Sequence, residues 1–583
     1  MTETSLAHPL GVSRLDRSSW SALAWAPRCD ALALRLIEDG GERDVALDAL
    51  GRGYFGAVVE LAAGTTYRFV LPDGQALPDP ASRRQPSGVH GPSAAFDPAD
   101  FVWTDDGFRA PDLDRSIIYE LHVGTFTEAG TFDAAIERLD DLRALGVTTV
   151  EPLPIAAFPG SRNWGYDGAF PFAVHEGYGG PEGFQRFVDA CHARGLAVML
   201  DVVYNHLGPE GTVHSEYAPY FTEMYSTPWG AAMNFADAGS DEVRRYFTEN
   251  ALMWLRDFHA DGLRLDAVHG IVDPTASPFL TELTAQVAEL AAATGRPLQL
   301  VAESADNNPL VITEREANGQ GFDAQWNDDF HHAVHATLTG ERDGYYQDFV
   351  SPDLLARAYR EGFAYQGEHS AFRGRRHGAP SGHLPTSRFV GFTQNHDQVG
   401  NRAGAERLSE IVGTERAMLA AALLLLSPQV PLLFMGEEYG ETAPFPYFVD
   451  HSDAELLAAV RRGRAEEFGR GDDELDPGDP ATFEAAQLDW SRRESGAGAT
   501  ILTAYRELIA KRATLPLIRD PDATTNASMI EDVLIVERSR GADRLTMIFN
   551  LGQTDATVDL PEPIERVTVA RNGYRLWMNG NES

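Results

Sequence analysis

The sequence predicts an α/β fold, a (β/α)8 TIM barrel flanked by an N-terminal β-sandwich and a C-terminal antiparallel β-domain. Three observations carry this expectation. From Ile117 onward, short apolar runs alternate with amphipathic helical patterns, the texture of a parallel sheet. Eight such runs can be placed, which suits a closed barrel better than an open doubly wound sheet. Helical patterns are missing between Trp20 and Trp103 and again after about Leu515.

Residues 1–105 form the first predicted domain. Ser21–Pro27, Ala31–Ile37, Tyr54–Leu61 and Thr65–Leu71 read as short strands, with Asp39-Gly40 and Asp73-Gly74 as turns. Trp25 lies in a strand and is expected in the core, which favours a structural buttress over a ligand-binding module as the reading of the sandwich. The stretch Pro78–Pro92, rich in Pro, Gly and Arg, leads into the second domain, 106–514. Its eight strands are expected at Ile117–Val123, Thr148–Leu153, Ala197–Tyr204, Gly262–Val268, Leu298–Ala302, Phe322–Trp326, Phe389–Thr393 and Val430–Met435. Helices are expected at Phe132–Leu145, Pro181–Arg194, Asp241–His259 and Glu415–Leu426. The excursion 207–240 after the third strand is long for a compact domain, and such loops are usually functional. Acidic Gly471–Pro480 reads as a solvated loop. In the third domain, 515–583, strands are expected at Val533–Glu537, Leu545–Asn550, Ala556–Leu560 and Arg566–Ala570.

Hydrophobic content of 43% supplies large cores and excludes global disorder. A net charge of −39 argues against nucleic acid and anionic membrane as partners, and fits a neutral substrate such as a sugar. Lys511 is the single lysine, so the positive charge is nearly all arginine. Cys29 and Cys191 lie far apart and read as two thiols rather than a disulfide framework. Met1–Leu10 is polar, without the basic start and apolar core of a signal peptide. The longest apolar run, Ala417–Leu426, is too short to span a bilayer. A cytoplasmic location is expected.

Polar residues at the C-terminal ends of barrel strands share one pocket. Three predicted strands end in an acid: Asp266 after Gly262-Leu-Arg-Leu, Glu303 after Leu300-Val-Ala, and Asp397 after Phe392-Thr-Gln-Asn-His396. One such acid is often only a helix cap, but three in register on strands four, five and seven point to chemistry. A retaining glycosidase needs an ionised carboxylate and a protonated carboxyl roughly 5–5.5 Å apart. Neighbouring strands are about 4.8 Å apart, so strands four and five meet that need. Arg264, two residues before Asp266, faces the same way and would hold it ionised. Glu303 would need the opposite, a raised pKa.

At these residues the sequence resembles the α-amylase family of glycoside hydrolases. Its four motifs stand in order as Asp201-Val-Val-Tyr-Asn-His206, Gly262-Leu-Arg-Leu-Asp266-Ala-Val-His269, Val301-Ala-Glu303-Ser and Phe392-Thr-Gln-Asn-His396-Asp397. The resemblance implies Asp266 as nucleophile, Glu303 as acid/base, and Asp397 as the carboxylate that grips sugar hydroxyls and stabilises the transition state. It further implies that His206 and His396 bond sugar hydroxyls, that Arg264 orients Asp266, and that Asp201 supports the pocket; His269 joins the expected substrate contacts. Tyr166, in Trp164-Gly-Tyr166-Asp167, matches the tyrosine that stacks on the sugar being cleaved. Many members carry histidine where this chain has Trp164, which implies a different subsite.

The segments Phe158–Asp167, Phe322–His332, Phe434–Phe448 and Pro78–His90 resemble a trehalose-releasing branch of that family. Such enzymes cut the α-1,4 bond next to the terminal trehalose of maltooligosyl-trehalose and share a pathway with a maltooligosyl-trehalose synthase. Trp326, Asn327, Asp328 and His332 after strand six, and Tyr439, Phe445, Tyr447 and Phe448 after strand eight, are expected on the pocket rim, where aromatics suit a glucan. The rival reading is a branching or debranching enzyme with the same three acids. A non-catalytic binding protein would lack one of them. A metal hydrolase finds no three convergent ligands in His331, His332 and His335. Family members often bind calcium near the asparagine matched by Asn205, although the trehalose-releasing branch implies no metal and no other cofactor.

Overall fold

The computed structural model describes residues 6–228, 230–467, 475–560, 564 and 566–582. Part of the expected acidic loop (471–474), residue 229 of the long excursion and Met1–Ser5 therefore lie outside the described residues. Eight parallel strands close into a barrel: Ile118–Leu121, Thr149–Pro152, Ala197–Val202, Gly262–Leu265, Gln299–Ala302, Ala324–Trp326, Phe389–Phe392 and Val430–Phe434. Closure is direct, with Ile118 paired to Leu432 and Glu120 to Phe434. Ile118, Met199, Val301, Ala324, Val390, Phe392, Val430 and Leu432 fill the interior beneath the upper rim. It is a packed core, so chemistry is confined to the ends of the strands.

The helical patterns hold with two differences. Phe132–Leu145 is two helices, Phe132–Ile136 and Leu139–Leu145. Between them the amides of Glu137 and Arg138 bond three residues back, to Ala134 and Ala135, and this tightening ends the first helix. The helix expected at 415–426 begins earlier, at Leu408, and bends at Gly413, whose φ of 76° a residue with a side chain rarely adopts.

Before the barrel, two antiparallel sheets form a sandwich. One orders Gly11–Arg14, Ser19–Trp25, Tyr54–Glu60 and Asp48–Gly51; the other orders Gly41–Ala46, Ala33–Glu38, Thr66–Val70 and Ala76–Leu77, with Ser93–Ala94 on Thr66–Val70. Trp25 is buried, its ring edge-on to Tyr220 of the long excursion at 5.4 Å. Tyr217 of the same excursion donates to Pro78 O at 2.8 Å, and Tyr54 bonds Glu242 on the helix Ser240–Arg256. The sandwich thus braces the loop after the third strand. At the opposite end of the barrel His192 sits between Asp105 and Asp261, 2.8 Å from each, and Asp105 also meets His259 at 2.8 Å.

After the helix Gly496–Thr514 comes a five-stranded sheet ordered Thr524–Ile530, Val533–Arg540, Asp543–Asn550, Tyr574–Met578 and Asn581–Glu582, beside the pair Ala556–Asp559 and Arg566–Val569. Cys29 and Cys191 are unpaired. Among the described residues no helix is long and apolar enough to cross a membrane.

Candidate active site

Arg264 organises the site. It points inward from the fourth strand, is fully buried, and lies over the Trp326 ring at 4.2 Å. Its Nη1 donates to Asp201 Oδ1 and Oδ2 at 2.9 and 2.7 Å and to Asp266 Oδ1 at 2.9 Å. Its Nη2 lies 3.8 Å from Glu303 Oε2. One guanidinium therefore gathers acids from strands three, four and five. Asn205 fixes the other side of Asp266, its Nδ2 donating to Asp266 O and Oδ2 at 2.9 Å each. Its Oδ1 is bonded to His206 Nδ1, and His206 Nε2 lies 3.0 Å from Tyr166 O.

The surroundings of Glu303 shift its proton affinity. Ala267, directly after Asp266, turns left-handed at φ 39°, and its amide donates to Glu303 Oε2 at 2.6 Å. A non-glycine in that region is strained, and here the strain accompanies an amide aimed at the second acid. Burial pushes the Glu303 carboxyl up to about 7; Asp266 and Asp397 add to this, while Arg264 and the Ala267 amide oppose it. It can hold a proton near neutral pH while Asp266 sits against a cation. The side chains of Asp266 and Glu303 are 13% and 14% exposed and that of Asp397 is 43% exposed, so all three can meet a ligand.

His396 links Asp397 to the barrel wall. Its Nδ1 lies 2.6 Å from Glu120 Oε1, its Nε2 3.5 Å from Asp397 Oδ2, and its ring stacks on Tyr166 at 5.1 Å. Burial disfavours its charge, but Asp397 and Glu120 outweigh that and hold the imidazole up at about 9. At neutral pH it is an imidazolium between two carboxylates. Tyr166 is half-buried and donates to Asp201 Oδ2 at 2.7 Å, which fixes the tilt of its ring.

Several expected rim residues stand elsewhere. Trp326 is 1% exposed and lies beneath Arg264, because it takes an inward position on its strand. Asn327 is buried as a helix cap, Oδ1 accepting from Phe330 N and Nδ2 donating to Gly362 O and Gln429 Oε1. Tyr439 is wholly buried against Trp490, 5.9 Å away, and Phe445 and Phe448 pack around His122. The loop after strand eight folds its aromatics onto the barrel. Trp164 too is buried, stacked on Phe445 and donating to Pro446 O at 2.9 Å; its indole backs Tyr166 and His396. Asp328 and Tyr447 remain half-buried, and His269 is exposed on the turn after Asp266. His332 is buried against Tyr345 at 4.2 Å, and His331 and His335 are engaged by Tyr346 and Glu341. Among the described residues no cluster of three or more His, Cys, Asp or Glu could hold a metal ion.

Glu120 escaped the sequence reading. Its signal was the one used for the other acids: a carboxylate at an inward position near the end of an apolar strand, Ile118-Tyr-Glu-Leu121. Asn205, tied by the family resemblance to calcium alone, uses its amide to clamp the Asp266 carboxylate.

The model of the alpha amylase catalytic domain matches residues 101–229. A malto-oligosyltrehalose trehalohydrolase of Arthrobacter ramosus is 48% identical over 91% of this chain and 92% of its own length. One of Saccharolobus solfataricus is 46% identical over 86% of each. A crystal structure from Salmonella typhimurium, described provisionally as an alpha amylase, superimposes with a TM-score of 0.90 at 40% identity, over 98% of this chain and 99% of its own.

Proposed function

Because the chain belongs to the malto-oligosyltrehalose trehalohydrolases of the α-amylase family, we propose that it hydrolyses the α-1,4-glucosidic bond next to the terminal trehalose of maltooligosyl-trehalose, retaining the anomeric configuration and releasing trehalose. The observation that carries the mechanism is the shared guanidinium of Arg264, with Asp266 at 2.9 Å and Glu303 at 3.8 Å. Glu303 gives its proton to the glycosidic oxygen as trehalose leaves, and Asp266 attacks the anomeric carbon to form a glycosyl ester. Glu303, now ionised, takes a proton from the incoming water, which opens the ester and restores both acids. Asp397, backed by the His396 imidazolium, holds the hydroxyls of the sugar being cleaved, and Tyr166 covers its apolar face. Asp201 and Asn205 keep Arg264 and Asp266 aimed.

The test is product analysis on maltooligosyl-trehalose beside plain maltooligosaccharide and amylopectin. Rapid trehalose release from the first substrate alone is expected, with the new reducing end first appearing as the α-anomer. New branch points, or debranching of amylopectin without trehalose release, would instead place the chain with the branching or debranching enzymes.

Three finer readings accompany this. The substrate is supplied by a maltooligosyl-trehalose synthase, which trehalose release from plain maltooligosaccharide in a coupled assay of the two enzymes tests. The unpaired Cys29 and Cys191 suit the cytoplasm, which cell fractionation tests. Domain limits near residues 105 and 514 are tested by where limited proteolysis cuts.

A further inference from the structure

The parallel ladder between strands four and five slips by one residue where the two acids stand. Leu265 pairs with Ala302, so Asp266 comes opposite Glu303, and the Glu303 amide donates to Leu265 O at 2.9 Å. In a regular parallel ladder the next bond would run from the Ala267 amide to Glu303 O. Instead the Val268 amide takes that carbonyl, at 2.9 Å. Ala267, at φ 39° and ψ 52°, swings its own amide off the ladder and onto the Glu303 side chain, 2.6 Å from Oε2. The left-handed region is unfavourable for an alanine, and the turn behind it holds the residue there. Gly270 N donates to Ala267 O at 2.8 Å and Ile271 N to Val268 O at 3.1 Å, and Ala267 itself is buried.

The two oxygens of Glu303 are therefore unlike. Oε2 accepts the Ala267 N–H and lies 3.8 Å from Arg264 Nη2, whereas no described residue donates to Oε1. In a carboxylic acid the carbonyl oxygen is the better acceptor and the hydroxyl oxygen the donor, so an N–H and a cation on one oxygen leave the proton to the other. We propose that Ala267 is a positioning residue for the hydrolysis: its backbone amide grips Glu303 by Oε2, so that the acid proton resides on Oε1 and departs from there. This rests on the hydrolytic reading of the site for the acceptor of that proton. As the glycosidic C–O bond breaks, its electron pair stays on the leaving oxygen, which takes the proton from Oε1. The carboxylate left behind keeps the Ala267 bond, now to an anion and stronger. Glu303 is faced by Arg264 and Asp266 of the fourth strand, by Asp397 after the seventh, and by Asp328 after the sixth. Burial, Asp266 and Asp397 oppose its ionisation; Arg264 and the Ala267 amide favour it.

Two replacements separate the amide from the side chain. Ala267→Gly keeps the N–H and relieves the left-handed turn. Its kcat/KM should stay within about threefold of wild type, with the alkaline limb unmoved and the melting temperature held or raised. Lactic acid in place of Ala267, introduced by nonsense suppression, turns the one amide into an ester and removes the N–H. The alkaline midpoint of kcat/KM should then rise by about one pH unit, because a donor to the ionised form is gone. Well below that midpoint kcat should fall about tenfold. The ester also weakens Asp266 O as an acceptor from Asn205, but that bears on the nucleophile and leaves the limb of Glu303 where it was. An ester variant with the wild-type midpoint would overturn the proposal. If the ester variant does not fold, neutron diffraction from the wild type in D2O, well below the midpoint, decides. Deuterium on Glu303 Oε1 supports the proposal; deuterium on Oε2, or on neither oxygen, ends it. A wild type that releases no trehalose would sink the substrate reading while leaving the neutron map to judge Glu303 and Ala267.

Discussion

Two groups of buried acids sit on this barrel, and they differ in what surrounds them. One gathers around Arg264 at the ends of strands three, four and five. The other, Glu437, Glu438 and Glu441, follows strand eight. Burial raises Glu303 to about 7 in the first group, and raises Glu437 and Glu438 to about 8 and 7 in the second. A displaced pKa therefore does not distinguish them. Their partners do: Tyr505 donates to Glu437, Tyr119 to Glu438, and Glu441 accepts from the amides of Thr442, Ala443 and Asp489. The second group is closed off from solvent and holds loop eight to the barrel, whereas the first keeps oxygens partly exposed beside a cation. In the proposed reaction, access and the neighbouring cation set the first group apart, because a perturbed pKa alone marks either a site or a strut.

Asp266→Asn strikes the first group hardest. Turnover should fall by about 10⁴-fold or more while the fold persists, because the nucleophile is lost and Arg264 keeps Asp201. Near-normal trehalose release at unchanged melting temperature would remove Asp266 from the mechanism. Glu303→Gln comes next, with a loss of about 10²–10⁴-fold at neutral pH. The wild type should show activity declining above about pH 7, because the acid form of Glu303 is then depleted; the kcat/KM profile reads this directly. The Gln variant should lose that alkaline limb, and an identical limb in both proteins would assign it to another group.

Glu437→Gln tests the other group and should leave kcat within about twofold. Its effect is on stability. In the unfolded chain Glu437 releases its proton near its ordinary value of 4.5, whereas in the folded chain it holds the proton to about 8. The folded state binds more protons between those limits, so the stability contributed below pH 4.5 is progressively lost as pH rises towards 8. A melting temperature that falls less steeply with pH in the variant is expected. Loss of activity without loss of stability would make loop eight part of the active site and collapse the distinction.

The same contrast explains what was legible in the sequence. Strand and helix periodicities located all eight staves, because each buries a short, largely apolar run; the pairing of neighbours then follows from a closed parallel order. The acids of strands four, five and seven were legible because a charge interrupts an apolar pattern at its end. Trp326 and Tyr439 misled for a complementary reason: period and loop position say that an aromatic is near the rim, but whether it turns to the sugar or to the core depends on contacts distant in sequence. For Trp326 that contact is Arg264, and for Tyr439 it is Trp490, neither adjacent in the chain.

Tyr439→Phe disturbs the second group least. The hydroxyl makes one long contact, 3.4 Å to Glu441 Oε2, inside the closed group, and the ring is packed with no surface towards the pocket. Removing the oxygen forfeits one weak bond, worth about 0.5–1.5 kcal/mol at most, and leaves Glu441 with its three amide donors. KM for maltooligosyl-trehalose should stay within experimental scatter while denaturant midpoints move slightly or not at all. A severalfold rise in KM at constant stability would mean that loop eight opens on binding and presents Tyr439 to the glucan, making it part of the rim.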